Sequence, residues 1–98
     1  MQADSEVRNN LNASRYELAT AKGIAFSEYR RHDDVVVFTH TVVPKALEGQ
    51  GIASRLIAGA LADVRAQRLR IASRCPFVSA YLQRHPEARD LLAESSPV

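Results

Sequence analysis

The chain has 98 residues, 46% of them apolar and 24% charged. That length allows one domain, residues 1–98, with a single modest core and no separate substrate domain, and the composition excludes both disorder and a fibrous repeat. Thirteen basic residues stand against 11 acidic ones for a net charge of +2, with the arginines dispersed, which argues against a nucleic-acid partner and suits a small anionic ligand.

Taken in chain order, Met1 to Glu6 is polar and reads as a loose terminus ahead of a short strand from Val7 to Leu11. Arg15 to Thr20 and Gly23 to Arg30 alternate, through Tyr16, Leu18, Ile24 and Phe26, and with Ala21-Lys22-Gly23 between them they form a predicted β-hairpin. His32-Asp33-Asp34 makes the next turn. Val35 to Val43 is almost wholly β-branched or aromatic, which predicts the central strand, and Pro44 ends it because proline cannot donate to a ladder.

After a turn from Lys45 to Gln50, apolar residues recur at Ile52, Leu56, Ile57, Ala60, Leu61 and Val64, the spacing of one helical face, so the main helix is expected from Ile52 to near Gln67. Leu69 to Ala72 reads as a further strand. Pro76 is suited to the first residue of a helix, and Phe77, Val78, Tyr81 and Leu82 are spaced for its apolar face. His85-Pro86 breaks this helix, and Glu87 to Leu92 forms a last short one before the tail Ser95-Ser96-Pro97. The expected architecture is α/β: a mixed, mostly antiparallel sheet of about four or five strands packed on the main helix, with two short helices at the C-terminal end.

The chemistry concentrates at Gly49-Gln50-Gly51-Ile52-Ala53-Ser54, between the strong strand and the main helix. Unpaired backbone N–H groups and the positive end of the helix dipole converge there, and the small residues let an anion approach closely. A plain tight turn is the competing reading. The segment lacks the Gly-Lys-Ser/Thr ending of a nucleotide-hydrolysing loop and the third glycine of a dinucleotide fingerprint. Lys45 and Arg55 stand near enough in sequence to meet phosphate oxygens, whereas Arg84 is better read as solvated.

Three other side chains carry candidate roles. Cys75, the one cysteine, precedes Pro76 and so falls at a helix N-cap, where the dipole favours a thiolate; it reads equally as a buried structural residue. His40 lies near the end of the strong strand, on the opposite face from Thr39 and Thr41, and is either a general base near neutral pH or a hydrogen-bonded core histidine. Tyr81 is either a proton donor or a packing aromatic. No His, Cys, Asp and Glu residues have metal-ligand spacing, so no metal is expected. With a lone thiol and no apolar N-terminal stretch like a signal peptide or membrane span, the expected location is the cytoplasm.

The glycine turn resembles motif A of the GCN5-related N-acetyltransferases, Gln/Arg-x-x-Gly-x-Gly/Ala. Gly51 and Ala53 match it, and Glu48 stands where the pattern has Gln or Arg. Nearly the whole chain is similar to a group of very small proteins of this superfamily. The matching stretches are Phe38 to Thr41, Val43-Pro44, Leu47, Gly49 to Ala53, Cys75 to Val78, Tyr81 and Arg84 to Glu87. The resemblance implies the superfamily's α/β fold and binding of acetyl-coenzyme A or coenzyme A by Val42, Val43 and the run Gly49, Gln50, Gly51, Ile52, Ala53, Ser54 and Arg55. It places Cys75 near the acetyl end of that cofactor, making His40, Cys75 and Tyr81 the candidate catalytic residues. The expected activity is acetyl transfer to an unidentified small or protein amine, with an acetylated Cys75 as one route. Rival readings are a non-catalytic acetyl-coenzyme A module or sensor and an arginine-rich interaction domain. So shallow a pocket can be completed by a second copy or a partner protein.

Overall fold

Alternation along two strands decides which side of the sheet becomes the core. A computed structural model describes residues 7–94. Its strands are β1 (Val7–Asn10), β2 (Arg15–Thr20), β3 (Gly23–His32), β4 (Val35–Val42) and β5 (Arg70–Ser73); its helices are α1 (Ile52–Ala66) and α2 (Pro76–Arg84), with 3₁₀ turns at Lys45–Leu47 and Pro86–Leu91. The expected loose terminus and the Ser95-Ser96-Pro97 tail lie outside the described residues.

The five strands form one sheet in chain order, antiparallel from β1 to β4 and parallel between β4 and β5. The parallel pair follows from α1, which carries the chain back across the sheet. Tyr16, Leu18, Ala25, Ser27, Tyr29 and Phe38 face the helices and are buried. Leu56, Ala60 and Val64 of α1 and Val78 and Leu82 of α2 join the same core, so both helices cover that face. The rings of Tyr16, Tyr29 and Phe38 meet at centroid distances of 5.4, 6.1 and 6.4 Å. Their polar ends are satisfied: the Tyr16 hydroxyl donates to Asp63 at 2.7 Å and that of Tyr29 to Asn9 at 2.6 Å. Burial first, and then the bond to Asp63, push the Tyr16 phenol far above its ordinary range.

The fold departs from the sequence pattern at several points. The strong strand is an inner strand, but β3 is the middle one. β3 runs on to His32, leaving Asp33 and Asp34 as the turn, with Asp33 at φ 55°. The expected second short helix is present as a 3₁₀ helix, Pro86–Leu91; Arg89 donates to the Leu82 carbonyl of α2, and the chain then pairs Leu92 with Ile71. Phe77, assigned to an apolar face, is 47% exposed, while Val78 and Leu82 make the packing.

Gly59 lets α1 lie directly on β1. A Cβ built there would overlap Val7, reaching 2.6 Å from that residue's Cβ. Gly59→Ala should therefore lose about 1–3 kcal/mol through overpacking despite the better helix propensity of alanine. In a Val7→Gly background, which removes the opposing Cβ as well as the methyls, the clash is relieved, and the same substitution should become neutral or stabilising by up to about 1 kcal/mol. Urea denaturation of the four proteins measures both arms; equal effects in the two backgrounds would refute the contact.

Candidate active site

The site arises because β4 and β5 part company. Their pairing runs only from Val35 and Arg70 to Phe38 and Ser73, closed by the Arg74 N–H donating to the Phe38 carbonyl at 2.8 Å. Beyond that point β4 continues to Val42, while the other chain turns into α2. The outer edge of β4 from Thr39 onward thus has no strand partner, and a cavity of about 510 Å³ fills the wedge.

Thr41, Val42 and Val43 form one wall of this cleft, and Phe77 stands at its rim. The glycine turn and the first turn of α1 form the other, through Gly49, Gly51, Ile52, Ala53 and Ser54. Gly49 and Gly51 have φ of 80° and 76°, left-handed conformations that cost an ordinary L-residue about 1–2 kcal/mol. A Cβ at either would meet nothing within 4 Å, so it is conformation and not space that requires glycine here. Gly51 caps α1 with no side-chain hydrogen bond, and the first turn holds no acidic residue, leaving its N–H groups open to a ligand. These features fit the pyrophosphate of a coenzyme. Glu48, also on the wall, opposes it by charge.

Two residues assigned to this turn do not line the cleft. The Gln50 amide turns back to donate to the Ala46 carbonyl at 3.2 Å, and Arg55 is exposed on the helix surface. Thr41, Leu47 and Phe77 line it without having been assigned a binding role. Sequence alternation gives no signal for Thr41, because only the register shift at Thr39 turns it to the same face as Phe38.

Cys75 is 1% exposed and is the N-cap residue of α2. Its sulfur lies 3.1 Å from the Thr41 hydroxyl, which is itself 2.9 Å from that of Ser27, giving a buried Ser27–Thr41–Cys75 chain. Ser73 holds the backbone around it, accepting from the Cys75 N–H at 3.3 Å and donating to its carbonyl at 3.0 Å. His40 is exposed and, by strand alternation, faces away from Thr41 and its thiol partner. The two candidates are therefore on opposite sides of β4. Opposite His40 in register is Glu28, and Thr39 is the extra residue where the β3–β4 register shifts.

Tyr81 lines a neighbouring groove of about 360 Å³ with Ala80 and Arg84; this groove shares Ala53, Ser54 and Phe77 with the main cleft. Its ring stacks on His85 at 3.9 Å, and the His85 Nδ1 lies 3.0 Å from the Tyr81 carbonyl. Burial, and secondarily Glu87, raise its phenol above the usual range. Among the described residues no group of three His, Cys, Asp or Glu side chains is gathered as metal ligands would be, and no helix is long and apolar enough to cross a membrane.

A search among curated proteins finds no match above chance. Among solved structures the chain is similar to the NMR solution structure of a GCN5-like protein from Staphylococcus aureus. The TM-score is 0.69 at 20% identity, over 98% of this chain and 95% of that one, a likeness of fold. The family model described as GCN5-related N-acetyl-transferase matches residues 15–91, from β2 to the last turn, and so includes the parted strands and the glycine turn. This chain accordingly belongs to the GCN5-related N-acetyl-transferase family and is an acyltransferase of that kind.

Proposed function

We propose that the protein transfers an acetyl group from acetyl-coenzyme A directly to a small or protein amine. The observation that carries this reading is the cleft between the parted strands, ending on an uncapped helix N-terminus behind two left-handed glycines. The turn from Gly49 to Ala53 holds the pyrophosphate, Val42 and Val43 guide the pantetheine arm, and the unpaired edge of β4 donates to the thioester carbonyl as charge develops on it. The amine nitrogen then bonds to the carbonyl carbon and gives its proton to His40; the C–S bond breaks, and coenzyme A leaves as the thiol after taking a proton from Tyr81.

The burial of Cys75, its absence from the cleft lining and its bond to Thr41 favour a structural role behind Thr41 over a carrier of the acetyl group. A second reading, a module that binds acetyl-coenzyme A without turnover, draws on Glu48 at the cleft wall. Isothermal titration of acetyl-coenzyme A and coenzyme A, with thiol release measured against a panel of amines, tests both. Binding with turnover supports the transferase, binding without turnover the module, and no binding removes both. An added acetyl mass lost in Cys75→Ala would restore the covalent route.

Tyr81 makes a pH-dependent expectation. Because its phenol is raised, it stays protonated as an acid through neutral pH, and kcat should fall only as pH rises above about 10. Tyr81→Phe should lower kcat by about 10²-fold, remove that alkaline limb and leave acetyl-coenzyme A affinity unchanged. A variant with wild-type kcat across the pH range would assign the proton to water.

A further inference from the structure

A cavity of about 520 Å³ opens on the other face of the sheet, away from both helices. Its floor is β3. Glu28, Arg30 and His32 stand at alternate positions and so share the face opposite buried Ser27 and Tyr29, while Ser14 and Thr39 close its sides. The Thr39 hydroxyl donates to the Glu28 carbonyl at 3.3 Å, fixing this wall where the register shifts.

Arg31 on this rim donates to the Asp33 carbonyl at 2.9 Å, but two of the cavity's charges lack such a partner. Among the described residues the Glu28 carboxylate and the Arg30 guanidinium form no ion pair with any side chain. They stand two positions apart on one face, about 7 Å between Cα atoms, and do not pair as Arg15 and Glu17 do across the same spacing on β2. Glu28 is also the cross-strand partner of His40, roughly 5 Å away between Cα atoms. The carboxylate thus lies beside the proposed base, on the stretch of β4 whose outer edge faces the cleft.

We infer that this cavity is the acceptor site and selects a small primary amine carrying a carboxylate or phosphate about 7 Å from its nitrogen. Glu28 receives the ammonium group and hands the nitrogen to His40 on the neighbouring strand. Arg30, with His32 beyond it, receives the anionic end. The role as acceptor rests on the acetyl-transfer reading; the selection of an anionic amine rests on the cavity alone.

Nitrogen-15 NMR titration of the full chain, without acetyl-coenzyme A, tests the site apart from the activity. The probes are 5-aminovalerate, 3-aminopropyl phosphate and propylamine. The first two are expected to shift the amides of Ser14, Glu28, Arg30, His32 and Thr39, and propylamine to bind about tenfold more weakly. Response to only one of the anionic amines identifies the anion as carboxylate or phosphate. Glu28→Gln and Arg30→Ala should each weaken binding about fivefold to tenfold, and in turnover raise KM for the amine with the acetyl-coenzyme A KM unchanged. No shift at these amides, or equal binding of propylamine, overturns the inference even if acetyl-coenzyme A binds. Amine binding here with no affinity for acetyl-coenzyme A would remove the transferase reading and leave the anionic-amine site standing.

Discussion

Gly51→Glu is expected to lower acetyl-coenzyme A affinity on the order of a hundredfold, about 2.7 kcal/mol. Two costs combine. The left-handed φ of 76° strains any L-residue by about 1–2 kcal/mol, and the new carboxylate sits at a helix N-terminus where an incoming pyrophosphate needs the unpaired N–H groups. Gly51→Ala separates them, because it carries the backbone strain without the charge and its Cβ meets nothing within 4 Å. The alanine variant should lose a similar amount of thermal stability but much less affinity than the glutamate variant. Titration calorimetry alongside melting curves makes the comparison. Equal affinities for all three proteins would mean that the phosphates bind elsewhere and would remove the central support for the transferase reading.

The largest effect on stability is expected at Phe38. Its ring is fully buried, touches both Tyr16 and Tyr29, and lies on β4 at the last pair before β5 departs. Phe38→Ala should cost about 3–5 kcal/mol, a large share of the roughly 5–15 kcal/mol that holds a domain of this size together. The melting temperature should fall by roughly 15–30 °C. Phe26, on the opposite face and only half buried beneath the Arg15 guanidinium at 4.1 Å, provides the control. Phe26→Ala should cost about 1 kcal/mol or less. A comparable loss at both positions would show that the core is not confined to the helix-covered face.

That contrast marks one limit of reading the sequence. β3 carries apolar residues in both registers, Ile24 and Phe26 in one and Ala25 and Tyr29 in the other, so its alternation alone leaves two choices of inner face. The Tyr16–Tyr29–Phe38 cluster against α1 decides it, and Ile24 is left 46% exposed. Val35 to Val43 is similarly clear as a strand from β-branched content, yet its place beside the middle of the sheet depends on where α1 returns the chain.

The candidate site divides in the same way. The strand, the glycine turn and the amphipathic helix after it are legible in the sequence, because backbone conformation at Gly49 and Gly51, proline at Pro44 and Pro76 and helical periodicity are local properties. The fold settles which side chains meet. It turned Gln50 away from the cleft, brought Thr41 and Cys75 together across 34 residues, put His40 on the opposite side of β4, and set Glu28 beside it. Those outcomes depend on strand register and on where two parallel strands separate, and neither is encoded within any one segment of the chain.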